Sequence, residues 1–178
     1  MAAAAKLRRI HGHVLLAALG IVLARPTLAT NLLGGLIVLM GLALRVWAAG
    51  FLEKGGLLCA DGPYRHVRHP LYLGSLVAAI GFCVMMKVLW GWGIVLPLFL
   101  VLYAAQVVAE EQLLRREYGE AHADFARRVP LLVPQLRAAP RGEGRSWTWK
   151  RVSVNREHYH VLITLLLLAG FYVKAALR

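Results

Sequence analysis

From Gly62 to Tyr72 the chain reads Gly-Pro-Tyr-Arg-His-Val-Arg-His-Pro-Leu-Tyr, set directly against an apolar run that begins at Leu71. Ionisable groups at the mouth of an apolar segment are costly to keep there unless they pair or serve a ligand. Arg65, His66, Arg68 and His69 supply positive charge and N–H donors, and Tyr64 and Tyr72 add hydroxyls. Asp61-Gly62-Pro63 is a turn signal, because glycine tolerates positive φ and proline presets its own. Pro70 suits the first turn of the next helix, where its missing N–H costs nothing. The free N–H groups of such a helix start would hold a carboxylate or phosphate. A second cluster, Glu110-Glu111, stands where the next long apolar run ends. An i,i+4 pair with Arg115 accounts for Glu111. Glu110 is left over, and it is the predicted contact to a ligand's ammonium or hydroxyl groups.

The elements that must position these clusters are membrane spans. Of the 178 residues, 59% are apolar and the mean hydropathy is +0.59, against about 45–50% apolar in soluble domains. Apolar runs cover residues 10–28, 32–52, 71–86, 88–109 and 160–177. With about 20 residues needed per span, the first and third are marginal, and the predicted fold is an all-α polytopic membrane bundle of about five helices. Leu114, Tyr118, Ala121 and Phe125 share one helical face opposite Arg115, Arg116, Glu120 and Asp124. That pattern predicts an interfacial amphipathic helix ending at Val129-Pro130. Residues 137–146, with Pro140, Gly142 and Gly144, read as a flexible linker. Gly34, Gly41, Gly74 and Gly81 would let helices approach closely. A single unit over residues 1–178 accommodates all of this.

Charge sets the orientation. Sixteen of the 21 Lys and Arg residues, and all nine acidic residues, flank the spans on one side: the amino terminus, the stretch before Leu71, and residues 110–157. The other side holds Arg25, Lys87, Lys174 and Arg178, and Arg45 lies within a span. By the positive-inside bias the clusters face the cytoplasm of an inner or plasma membrane. The net charge of +12 is thereby spent on anionic lipid headgroups rather than nucleic acid. Residues 1–29 also have the layout of a leader, with a basic start, an apolar centre and Thr27-Leu28-Ala29 as a cleavage site. His11 and His13 fall on different helix faces and make no metal pair. Cys59 and Cys83 read as reduced thiols. Trp90, Trp92, Trp147 and Trp149 read as interface anchors.

The joint pattern Gly62-Pro63-Tyr64, Arg68-His69-Pro70-Leu71-Tyr72-Leu73-Gly74, Glu110-Glu111, Leu114, Tyr118-Gly119, Phe125 and Val129-Pro130 resembles the isoprenylcysteine carboxyl methyltransferases and the related membrane phospholipid methyltransferases. The resemblance covers roughly residues 45–134. It implies an integral membrane methyltransferase that uses S-adenosylmethionine without a Rossmann domain, and no glycine-rich strand-to-helix fingerprint occurs in the chain. It also implies a cofactor pocket formed by Gly56, Leu57, Leu58, Cys59, Tyr64, Arg68, His69, Pro70 and Tyr72, anchored by Glu110. Where the eukaryotic carboxyl methyltransferases carry an arginine for the substrate carboxylate, this chain has Gln106. A neutral amide holds a carboxylate more weakly than a bidentate guanidinium does, and Arg45 is the predicted substitute. The expected acceptor is a lipid-like or prenylated molecule entering from the bilayer. An amine or phenol acceptor would need a general base, for which Glu111 or His69 is the candidate. Two other classes remain: an NADPH-dependent reductase related to the sterol reductases, and a non-catalytic assembly protein of the same fold.

Overall fold

A computed structural model describes residues 20, 21, 23–53 and 58–177, and among these every regular element is helical. Helix α1 (Leu28–Ala49) begins at a reciprocal cap, in which the Thr27 hydroxyl accepts from the Thr30 N–H and the Thr30 hydroxyl accepts from the Thr27 N–H. Helix α2 (Pro70–Met86) follows a 3₁₀ turn at Gly62–Arg65 and ends at Lys87, whose φ of 52° reverses the chain. A π turn at Gly91–Val95 leads into the long helix α3 (Leu96–Arg128). A short helix α4 (Trp149–Val154) then delivers the chain to α5 (Glu157–Ala176).

Among the described residues, three helical stretches are long and apolar enough to cross a membrane: Leu28–Ala49, Gly91–Arg128 and Glu157–Ala176. The 17-residue α2 is apolar but short of the usual span. Most of the first apolar run, with His11 and His13, lies outside the described residues. The described residues thus hold three full-length helices and one short one, and the count of five is not confirmed. The hairpin around Lys87 is where the sequence placed it.

Glycine holds α1 against α2. A Cβ on Gly41 would lie 2.4 Å from the Gly74 carbonyl, and one on Gly34 would lie 2.5 Å from the Gly81 carbonyl. The two backbones meet at these pairs, as small residues allow in membrane bundles. Helix α5 is tied to α1 by buried Asn31, whose Nδ2 donates to the Phe171 carbonyl at 3.0 Å, and by the Tyr172 hydroxyl, which donates to the Asn31 carbonyl at 3.0 Å.

The amphipathic helix is continuous with the span before it and bends at Gly119, where φ is +51° and ψ is −122°. The bend shifts the buried stripe by one residue. Leu114 and Tyr118 lead into buried His122, Phe125 and Val129, whereas Ala121 is exposed. No neighbour would obstruct a Cβ at Gly119, so the cost of a side chain there is conformational. Gly119→Ala should destabilise the bent form by about 1–2 kcal/mol, read as a lower unfolding midpoint of the purified protein.

Residues 130–145 are not a free linker. Their carbonyls at Pro130 and Leu131 accept from the N–H groups of Arg68 and His69, at 2.9 and 3.3 Å. The N–H groups of Gln135, Ala139 and Gly142 donate back to the carbonyls of His66, Arg65 and Ala60. This strap runs antiparallel to residues 60–69 and satisfies backbone that would otherwise be unpaired. Trp147 likewise departs from a simple lipid anchor: its Nε1–H donates to the Val46 carbonyl at 3.3 Å and its ring covers Gly50.

Candidate functional site

The turn before α2 is fixed by small local choices. Gly62 takes φ +56°, and a Cβ there would strike the Phe51 ring at 2.4 Å. The buried Asp61 carboxylate accepts from the Arg145 N–H at 3.1 Å, fastening the strap to the turn. The basic cluster then divides. Arg65 Nε donates to the Ala139 carbonyl at 2.7 Å, and His66 Nδ1 lies 2.9 Å from the Gln135 carbonyl. Those two groups serve the strap. Arg68 and His69 turn the other way, towards α3.

Glu111 is the hub that receives them. Its Oε2 accepts from Arg68 at 2.5 Å and its Oε1 lies 2.7 Å from His69 Nε2. His122 Nε2, beyond the bend, is 3.6 Å from the same carboxylate. The expected Glu111–Arg115 pair does not form, because Arg115 points to solvent while three groups from two segments converge on Glu111. The expected field of free N–H groups at the start of α2 is also reduced, since those of Arg68 and His69 go to the strap. Glu111→Gln removes the charge that balances Arg68, and hydrogen bonds to charged groups are worth about 1.5–3 kcal/mol. A loss of about 2 kcal/mol in stability is expected on that basis, measured as a fall in unfolding midpoint.

A cavity of about 350 Å³ opens between these elements, within the roughly 300–1,000 Å³ of small-molecule sites. Leu58, Cys59, Tyr64, Arg68, His69, Pro70 and Tyr72 line one side, and Glu110 and Glu111 line the other. The two clusters, about forty residues apart in the chain, thus share one wall-to-wall space. Gly56 and Leu57 lie outside the described residues. Gln106 does not line the cavity; it hydrogen-bonds the Tyr72 hydroxyl, which also contacts Glu110. An aromatic wall crosses from α2 to α3, with Tyr72 edge-on to Tyr103 at 5.5 Å and Tyr103 stacked on Phe99 at 3.9 Å.

The Tyr64 hydroxyl is buried and has no hydrogen-bond partner among the described residues. Burial, with the neighbouring Cys59 and Glu110, pushes its pKa well above the ordinary tyrosine value. It is therefore a neutral O–H donor facing the cavity. Burial also raises the Cys59 thiol, which leaves it protonated and a poor nucleophile. Both observations favour binding over covalent chemistry on this wall.

Arg45 reaches the cavity from α1, but its charge is already balanced. Nε and Nη2 make a two-pronged pair with Glu157 at 2.6 and 2.9 Å, and Nη1 donates to the Leu71 carbonyl at 3.1 Å and to Ser75 at 2.5 Å. Arg45 thus differs from the unpaired cation that a substrate clamp requires. Glu157 is placed by α4: Asn155 Nδ2 donates to the carbonyls of Ala49 and Leu52, docking the start of α5 on the end of α1.

His122, Asn155, Glu157 and Tyr103 line the cavity without having been singled out as site residues; of His158, Tyr159 and His160, which the sequence sets beside the site, His160 lines it. His122 was legible, since it lies four residues from Tyr118 and three from Phe125. Glu157 was legible as an acid at the head of an apolar run. Its partner was not, because 112 residues separate it from Arg45.

The described residues contain no cluster of three or more metal-ligating side chains suited to an ion. The architecture and the cavity define a helical membrane protein with a charged cavity at one end of its bundle. The Phospholipid methyltransferase family pattern matches residues 14–121, and the chain belongs to that family. It is similar to the cobalt-zinc-cadmium resistance protein CzcN of Cupriavidus metallidurans, with 34% identity over 125 residues, covering 69% of this chain and 56% of that protein. It is also similar to the nickel-cobalt-cadmium resistance protein NccN of Alcaligenes xylosoxydans xylosoxydans, with 34% identity over 105 residues, covering 58% and 49% of the two chains. The chain spans about half the length of these relatives. No solved structure matches it.

Proposed function

We propose that this protein is an S-adenosylmethionine-dependent membrane methyltransferase acting on a lipid-like acceptor at the cytoplasmic face. The observation that carries this reading is the charge balance of the cavity. Its two arginines, Arg45 and Arg68, are paired with Glu157 and Glu111. Among the described residues Glu110 has no cationic partner; it hydrogen-bonds the Tyr72 hydroxyl and lies near Tyr64. A site with one carboxylate in surplus suits a ligand carrying positive charge, such as a sulfonium with an ammonium group. The same surplus opposes NADPH, whose phosphates call for unpaired cations.

S-adenosylmethionine supplies a methyl group that is already activated, so the protein's work is alignment and exclusion of water. Glu110 would hold the ligand's cationic end, and Tyr64 would donate to a hydroxyl or carboxylate oxygen. Leu58, Cys59 and Pro70 furnish apolar wall, and the ring faces of Tyr72 and Tyr103 would attract a cation. His69 and Glu111 hold each other at 2.7 Å, so their work is to fix the turn against α3 rather than to take a proton. Purified protein should bind S-adenosylmethionine and compete it off with S-adenosylhomocysteine, with NADPH without effect. Binding of NADPH in its place would favour the reductase reading, and binding of neither would leave an assembly protein.

A further inference from the structure

A second cavity of about 230 Å³ lies deeper in the bundle, lined by Ala78, Ala79, Phe82, Leu98, Leu102 and Leu167 among other apolar groups. Three side chains line both this space and the first: Arg45, Tyr103 and His160. If a charged cofactor occupies the first cavity and a lipid-like acceptor the second, these three surround the point of transfer. We propose that His160 is the proton acceptor at that point, and that the methyl acceptor is accordingly an X–H nucleophile (nitrogen, sulfur or phenolic oxygen) rather than a carboxylate. This rests on the methyltransferase reading and goes beyond it.

The argument is one of elimination at the junction. A carboxylate acceptor needs a cation to hold it and no base. Arg45 is the cation present, and Glu157 cancels it with two short contacts, with side-chain exposures of only 12% and 3%. A second carboxylate brought beside Glu157 would face like charge in a poorly solvated space. Tyr103 is a phenol packed on Phe99 and Tyr72 and is a weak base. Glu110 serves the first cavity and contacts Tyr72. Glu111 and His69 line only the first cavity and are bonded to each other. His160 remains. It stands three residues from Glu157, on the same face of α5, and interacts electrostatically with both Arg45 and Glu157. No hydrogen bond occupies its ring among the described residues, so one nitrogen is available. The Arg45–Glu157 pair beside it is neutral as a unit and so neither repels nor traps the proton strongly.

The step balances. The acceptor's lone pair forms the X–CH₃ bond as the methyl–sulfur bond breaks and its electron pair stays on sulfur. The acceptor's proton passes to the free imidazole nitrogen and then to water at the membrane edge. Positioned bases contribute about 10²–10⁴-fold. His160→Gln should therefore lower the turnover number by about 100-fold while S-adenosylmethionine affinity stays within about threefold, far less than one charged contact is worth.

The test uses the full chain in nanodiscs with labelled S-adenosylmethionine and three probes: phosphatidylethanolamine, dodecanethiol, and N-acetyl-S-farnesylcysteine. Label should enter the amine or the thiol in a base-stable product. The rate should rise with pH through a single ionisation; Arg45 on α1 and Glu157 on α5 interact with His160, and Tyr103 and Glu110 on α3 line the same cavity. His160→Gln should lose that rise, and added imidazole should restore part of the rate to His160→Ala. Independently of turnover, a histidine ring NMR signal that vanishes in His160→Gln should shift when dodecanethiol is added to protein without cofactor. A base-labile methyl ester on farnesylcysteine overturns the proposal. So does transfer to none of the probes by protein that binds the cofactor, or a His160→Gln protein with unchanged rate and pH profile, as expected of a merely interfacial histidine. Failure of the native protein to bind S-adenosylmethionine strikes the underlying reading instead.

Discussion

Arg45→Met should lower stability by about 3–5 kcal/mol, and the double variant Arg45→Met/Glu157→Leu should recover most of that loss. Removing one partner of a buried ion pair strands the other charge, whereas replacing both with apolar groups of similar volume is close to neutral. Both side chains here are largely buried, and the pair joins α1 to α5 across 112 residues of chain. Arg45 also anchors α2 through Leu71 and Ser75, so the double variant should stay slightly below the native protein. Unfolding midpoints of the four members of the cycle give the coupling directly. Equal midpoints for Arg45→Met and the native protein would mean that the pair does not hold α5.

Glu110→Ala should reduce S-adenosylmethionine affinity by about 100-fold and leave the fold intact. Truncating one member of a desolvated charge pair costs about 2–5 kcal/mol, and Glu110 faces the cavity without joining the network around Glu111. Calorimetric titration reads the affinity, and the unfolding midpoint reads the fold. Arg127→Ala is the fitting control. Arg127 pairs with Asp124 on the solvent face, where 70% of its side chain is exposed, and such pairs contribute little. A Glu110→Ala protein with native affinity would remove this carboxylate from the site.

Much of the site was legible because it is local. The turn at residues 61–63, proline at the start of α2, and the helix carrying Glu110 each follow from residue types a few positions apart. What depends on distant parts of the chain was not. Glu111 was assigned to Arg115 by helical spacing, yet Arg68 and His69 arrive from another segment and win, because they are held beside it away from solvent. Arg45 looked like a clamp until Glu157 appeared beside it. The strap is the clearest case: glycine and proline in residues 137–146 signalled flexibility, but their backbone finds partners along residues 60–69. At Gly119 the helical count slipped by one, which exchanged exposed Ala121 for buried His122.

Ultraviolet crosslinking of labelled S-adenosylmethionine to the purified protein, followed by peptide mapping, tests the central claim most directly. Label should appear in residues 58–72 and 110–125 and disappear when excess S-adenosylhomocysteine is present. Label confined to other segments, or insensitive to that competitor, would contradict the account.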